Sequence, residues 1–277
     1  VVSGHGLDAG VVDAALAEAK ALFALPKDAK RAYHVVGGAG QRGYTPFGVE
    51  TAKGHANPDL KEFWHVGRDL PAGHAYAQAM PANIWPAERP SFRPAMLALY
   101  AALEGLGGRL MSAIGQHLGT PPGFLEDATA DGNSVLRLLH YPPVDGRGPA
   151  IRAGAHEDIN AITLLLGAEE AGLEILDRDG AWLPIDPPAG AVVVNIGDML
   201  SRLTNDVLPS TTHRVINPRP ERAGVARYSM PFFLHFRPDF EIRTLAQCVS
   251  HARPDRYPGP ITADAFLRQR LEDLRLA

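Results

Sequence analysis

From about residue 133 onward the chain reads as short strand segments separated by turn residues, and this pattern restricts the fold more than any other feature. The segments are Ser134–Tyr141, Ala161–Leu166, Leu173–Leu176, Trp182–Ile185, Ala191–Ile196, Thr211–Val215 and Arg227–His235. They are rich in aliphatic, β-branched or aromatic residues, with Gly, Pro, Asn and Asp between them. Asp179-Gly180, between two of them, is a hairpin turn signal. Parallel strands need a long crossover, usually a helix, between each pair. No helical pattern is interleaved here. The segments therefore predict an antiparallel double sheet, a sandwich or jelly roll, and exclude a doubly wound parallel sheet.

The preceding region has a different texture. Asp8 is placed to cap a helix whose apolar positions Val11, Val12, Leu16, Ala19, Leu22 and Phe23 share one face, with Pro26 just past its end. A second helix is expected from about Pro94 to Leu118, with Ser91 as its cap and Gly119, Pro121 and Pro122 stopping it. The Gly37–Gly43 stretch reads as a loop, and it lacks the Gly-Lys-Ser/Thr of a phosphate loop. A last amphipathic helix is expected from Thr262 or Ala263 to Leu274. The predicted organisation is a helix-rich region over residues 1–130, a jelly-roll core over 131–245 and a helical segment over 246–277, all within one mainly β fold with flanking helices.

Charge and composition narrow the function classes. Lys+Arg 27 against Asp+Glu 31 leaves a net charge of −4, so no strongly basic surface points to nucleic acid. The longest apolar runs, such as Ile162–Leu166 and Ala191–Val194, are far short of a membrane span, and no membrane partner is expected. One cysteine, Cys248, cannot form a bridge within the chain, which suits a reducing cytoplasm, and it is expected to be buried and inert. The chain opens Val1-Val2-Ser3 with no Met and no charged-then-apolar signal segment, so it reads as entered partway along a strand with native residues expected before it.

Two constellations carry chemistry. His156-Glu157-Asp158 is one; a chain with 11 His is expected to hold roughly one His-x-Asp triplet by chance, so its context decides. Strand alternation places His156 and Asp158 on one face. A third ligand from another strand would complete the two-histidine, one-carboxylate set that binds ferrous iron and leaves positions open, and His213 in Thr211–Val215 is the candidate. The second constellation is Arg227-Tyr228-Ser229, in which Arg227 and Ser229 share a face. A guanidinium and a hydroxyl directed together form a carboxylate receptor, and Tyr141 is placed to add a phenol donor. Asn195 and Asp198 are expected to fix the turn after Val194, and His5, His140 and His235 to be structural or exposed.

In these segments the chain resembles the isopenicillin N synthase-like branch of the 2-oxoglutarate/Fe(II)-dependent dioxygenases. The resemblance rests on Leu136–Pro143, Gly154–Leu166, Gly172–Asp177, Val193–Asp198, Leu203–Asn205, Ser210–Val215 and Arg227–Phe233, which occur in the family's order. It extends more weakly to Val2–Leu7, Arg42–Pro46 and Asp59–Gly67. It implies that His156, Asp158 and His213 hold Fe(II), and that Arg227, Ser229 and Tyr141 bind 2-oxoglutarate. It further implies a small organic substrate, oxidised with dioxygen by hydroxylation, desaturation or ring closure. Two departures stand out: Leu139 occupies a position where many plant members carry Asn, and Asn217–Gly224 is a long insertion, read as a hairpin extension. The pocket mouth of this family implicates Tyr44, Phe47, Phe63 and Trp64. The alternatives are an oxidase that uses no 2-oxoglutarate, with Arg227 on a substrate carboxylate, or a metal-free binding protein on the same scaffold.

Overall fold

The computed structural model describes residues 1–51, 57–143, 150–166 and 171–273. In chain order the elements are α1 (Ala9–Phe23), α2 (Lys27–Arg31), β1 (Gly43–Thr45), β2 (Glu62–Gly67), α3 (Phe92–Leu118) and α4 (Phe124–Thr129). The strand-rich part follows with β3 (Val135–Tyr141), β4 (Ala153–His156), β5 (Ile162–Leu166), β6 (Leu173–Leu176), β7 (Trp182–Pro184) and β8 (Val192–Ile196). After α5 (Asp198–Leu203) come β9 (His213–Val215), β10 (Arg227–Ser229) and β11 (Pro231–Leu234). A short pair, β12 (Glu241–Ile242) and β13 (Ile261–Thr262), leads into α6 (Ala263–Asp273).

The larger sheet runs β1-β2-β3-β11-β5-β8, with β10 also on β3, and the smaller runs β4-β9-β6-β7. Every pairing within these two sheets is antiparallel, as the turn-separated pattern predicts. Together they form the double-sheet, jelly-roll core. Helix α3 packs across the larger sheet at β5 and β11, with α1 and α4 against it. The long α3 buries Met96, Leu99, Tyr100, Leu103 and Met111, and Tyr100 meets Phe232 edge-on with ring centroids 5.0 Å apart. Burying such apolar side chains stabilises by about 1.5–3 kcal/mol each relative to exposure. Asp8 caps α1 as expected, its carboxylate accepting from the backbone N–H of Gly10 at 2.7 Å and of Val11 at 3.3 Å. Gly119, at φ 72°, closes α3 in a left-handed conformation that glycine adopts without steric cost.

Several local readings change. Ser91 does not cap α3 through its side chain; its hydroxyl donates to Glu18 at 2.7 Å and ties α3 to α1. The predicted strand Arg227–His235 is split in two at Met230, because Pro231 has no N–H to give the ladder with β3. Asn217–Gly224 is no hairpin. β9 lies in the smaller sheet and β10 in the larger, and the segment between them crosses over with a 3-10 turn at Pro220–Arg222. The region before residue 131 is also more than helical, since β2 pairs with β3 along its whole length. Leu274, the expected end of the last helix, lies outside the described residues. Among the described residues no helix is long and apolar enough to cross a membrane.

Candidate active site

His156 is the last residue of β4 and His213 the first of β9, and the antiparallel pairing sets the two directly opposite each other. Asp158 lies beyond the strand end, so simple alternation does not explain its position. A turn brings it back, fixed by the Asp198 backbone N–H donating to the Asp158 carbonyl at 2.8 Å. One Asp158 oxygen then sits 4.0 Å from His156 Nε2 and 3.9 Å from His213 Nε2. One ligand atom from each residue falls within 4.8 Å of the other two.

The surrounding bonds orient these atoms. His156 Nδ1 lies 2.7 Å from the Gly154 carbonyl and His213 Nδ1 lies 3.0 Å from the Thr211 carbonyl. Each carbonyl requires a proton on Nδ1, which leaves Nε2 as the lone-pair donor. The other Asp158 oxygen accepts from the Thr163 hydroxyl at 2.5 Å and from Asn195 Nδ2 at 2.8 Å. Asn195 thus positions a ligand rather than a turn. Burial, and then the neighbouring His213, push His156 down to about 4, so it is a neutral donor at pH 7. Burial works against ionisation of Asp158, yet His213, His156, Thr163 and Asn195 hold its carboxyl below the usual range. Two imidazole nitrogens and one carboxylate on one side of an open space are a donor set that suits Fe(II).

Behind the triad, between the sheets, is a cavity of about 70 Å³. Arg227 and Ser229 line it from β10, opposite Tyr141 and Leu139 of β3 in the ladder. Tyr228 turns to the other face and stacks on His140, with ring centroids 4.7 Å apart. Arg227 is 2% exposed, with Cζ 5.1 Å from the Tyr141 ring centroid. Leu165, Leu173, Ile175, Val193 and Val215 give it an apolar side, while Arg137, Thr163 and Asn195 also reach it. The Arg227 guanidinium and the Ser229 and Tyr141 hydroxyls at one place, with metal-ligand atoms at another, fit an elongated dicarboxylate such as 2-oxoglutarate. Lys61, which the motif reading missed, also borders this space, and Asp59 at 2.8 Å and Glu50 at 3.2 Å hold its ammonium. It stands just before β2, in a segment without a strong strand pattern.

A second cavity, of about 580 Å³, opens on the other side of His156 and Asp158. Its walls come from the loop around Val35–Gly40, from β2 and β3, and from Leu267, Arg270 and Leu271 of α6. Of the four aromatics expected at the mouth, Phe63 lines it. Trp64 is fully buried in the core, Tyr44 donates its hydroxyl to Glu62, and Phe47 is exposed. His235 is neither exposed nor remote; it lines this cavity, and burial pushes it down to about 4. His140 is structural, paired with Glu62 at 2.7 Å, and His5 contacts the Gly190 carbonyl at 2.7 Å. Asp198 pairs with Arg270 at 3.0 Å, and Cys248 is buried as expected.

Comparison with known proteins agrees with this geometry. Residues 132–236 match the 2OG-Fe(II) oxygenase superfamily, and residues 1–88 match the non-haem dioxygenase in morphine synthesis N-terminal family. A 2-oxoglutarate-Fe(II) type oxidoreductase from Emericella nidulans is 34% identical over 279 residues, spanning 96% of this chain and 78% of its own length. A solved 2OG-Fe(II) oxygenase family protein from Caulobacter crescentus is 60% identical with a TM-score of 0.90, covering 97% of this chain and 87% of that one. A full-length Neurospora crassa protein solved in complex with alpha-KG is 27% identical with a TM-score of 0.84, covering 96% and 84%.

Proposed function

The chain belongs to the 2-oxoglutarate/Fe(II) oxygenase superfamily and is an oxidoreductase that uses Fe(II) and 2-oxoglutarate, and from that premise we propose how its own residues divide the work. His156, Asp158 and His213 hold the iron. Bound iron supplies dioxygen activation coupled to decarboxylation of 2-oxoglutarate to succinate and carbon dioxide. Arg227 pairs with the distal carboxylate of the cosubstrate, and Ser229 and Tyr141 add hydroxyl donors. Burial of Arg227 keeps that pair out of water, where a charge-assisted fork is strongest. The wider cavity receives a small organic molecule, which is hydroxylated, desaturated or cyclised beside the metal ligands. The order of the matching sequence segments supports an isopenicillin N synthase-like branch, and the single cysteine supports a cytoplasmic setting.

The observation that carries this reading is that the Arg227–Ser229 face and the His156, Asp158 and His213 side chains border one small cavity between the sheets. Anaerobic calorimetry of the Mn(II)-loaded protein tests it without turnover. Arg227→Ala is expected to weaken 2-oxoglutarate binding by about 2–5 kcal/mol, or about 30- to 5000-fold. Arg227→Lys recovers part of this, since an ammonium lacks the fork. Absence of 2-oxoglutarate binding to the unaltered protein at millimolar concentration overturns the assignment.

A further inference from the structure

Arg137 is a fixed guanidinium with one edge still open. It projects from the inner face of β3, between Val135 and Leu139, and borders both cavities. β3 lies between β2 and β11 in the sheet, and each neighbour contributes a ring: Phe63 at 4.3 Å and Phe233 at 5.2 Å from Cζ to the centroid. Such stacking restrains a guanidinium without consuming its N–H donors. Arg137 Nε donates to His65 Nε2 at 2.6 Å, and His65 Nδ1 in turn lies 2.5 Å from the Gly40 carbonyl. Burial, and then the Arg137 charge itself, hold His65 well below the usual imidazole range. His65 therefore accepts from Arg137 without adding a charge or cancelling one.

The outer edge of the guanidinium is the part left over. Nη1 reaches Glu50 at 3.5 Å, a long contact, and Glu50 lies closer to Lys61 at 3.2 Å. Nη2 has no protein hydrogen-bond partner among the described residues. The other ionic groups around the wider cavity are already engaged. Lys61 bridges Asp59 and Glu50, Arg270 pairs with Asp198, and Glu157 accepts from the Thr212 hydroxyl at 2.8 Å. Beyond the guanidinium the walls turn apolar, through Val35, Val49, Ile159, Leu267 and Leu271.

We propose that Arg137 is the specificity-determining anchor of the substrate, and that the substrate is a small monocarboxylate with a largely apolar body. The open guanidinium edge takes the carboxylate, and the apolar walls of the 580 Å³ cavity take the rest. Glu50, near Nη1, disfavours a second negative charge there, which selects a carboxylate over a phosphate dianion. The inference deepens the oxygenase reading of the same site and rests on it.

The test uses the Mn(II)-loaded protein under anaerobic conditions, with and without 2-oxoglutarate. Binding is measured by calorimetry for phenylacetate, 4-phenylbutyrate, cyclohexanecarboxylate and decanoate, each against its primary amide. At least one carboxylate is expected to bind more tightly than its amide by about 30-fold or more, and Arg137→Gln is expected to abolish that preference. Arg137→Lys, which keeps the charge without the fork, is expected to restore part of it and replaces Arg137→Gln if that variant does not fold. The proposal is overturned if no carboxylate is preferred, or if the preference survives in both variants. It is equally overturned if 2-oxoglutarate affinity falls with the probe affinity, which would make Arg137 a cosubstrate residue. Binding of 2-oxoglutarate to the unaltered protein, titrated separately, reports on the oxygenase reading itself.

Discussion

The two cavities share the wall formed by His156 and Asp158, yet they are built from different material. The small one lies between paired strands of both sheets, and Arg137, Tyr141, Arg227 and Ser229 reach it from alternate positions on β3 and β10. The large one borrows part of its wall from the loop around Val35–Gly40 and from the end of α6. Strand residues held in a ladder have little freedom to move or to be replaced, whereas loops and helix ends tolerate change. The strand-walled cavity therefore suits a partner that never varies, and the borrowed walls suit one that differs from relative to relative.

The sharpest way to break this division is to remove the wall common to both. Asp158→Ala is expected to abolish turnover and metal binding while leaving unfolding cooperative, because the core of a domain this size does not rest on an open metal site. Succinate release at the unaltered rate would remove Asp158 from the ligand set. The next effect concerns the large cavity alone. His235 titrates near 6.5 in the unfolded chain but near 4 when buried, so the unfolded state takes up its proton first as pH falls. The His235 contribution is expected to be nil above pH 6.5 and to reach a loss of up to about 3 kcal/mol as pH falls from 6.5 toward 4, with the buried His65 and His156 adding losses of the same sign. Urea unfolding across that range checks it, and His235→Gln is expected to lessen the slope without abolishing it, since His65 and His156 remain.

A smaller effect tests the supports rather than the ligands. Asn195→Ala removes one of two donors to the outer Asp158 oxygen and is expected to cost about 10- to 100-fold in metal affinity. Competition with a metal chelator measures it, and an unchanged affinity would return Asn195 to a purely structural role. Ser229→Ala is expected to give the smallest change, about 0.5–1.5 kcal/mol in 2-oxoglutarate affinity for one lost hydrogen bond. A loss as large as that of Arg227→Ala would mean that the hydroxyl orients the guanidinium.

The same division governs how much was legible in the sequence. The inner residues announced themselves because period-2 alternation on a strand converts spacing directly into a shared face, as with Arg227 and Ser229. Asp158 was named for the right reason of composition and the wrong reason of geometry, since it lies past the end of β4. β4 itself, Ala-Gly-Ala-His, has no strand signal and forms because β9 offers it a partner. The residues of the wider cavity were mostly invisible. Lys61, His65 and Arg137 lie on neighbouring segments whose pairing, His65 opposite Arg137, exists only in three dimensions. Trp64 misled in the opposite direction, because every residue of β2 is buried and alternation cannot show which face meets the cavity.

The inner face of β3 carries Val135, Arg137, Leu139 and Tyr141 in a row, reaching from the wide cavity into the narrow one. Alternate residues on a strand stand about 7 Å apart, so this row behaves as a ruler with fixed graduations. Adding or deleting one residue in β3 would rotate Leu136, Leu138 and His140 inward and turn the whole row, Arg137 included, to the opposite face. Point substitutions can change what each graduation holds, but insertions cannot lengthen the scale. Descendants of this chain that accept longer molecules must therefore find the extra room at the Val35–Gly40 loop or the end of α6, where length can change without moving the metal ligands.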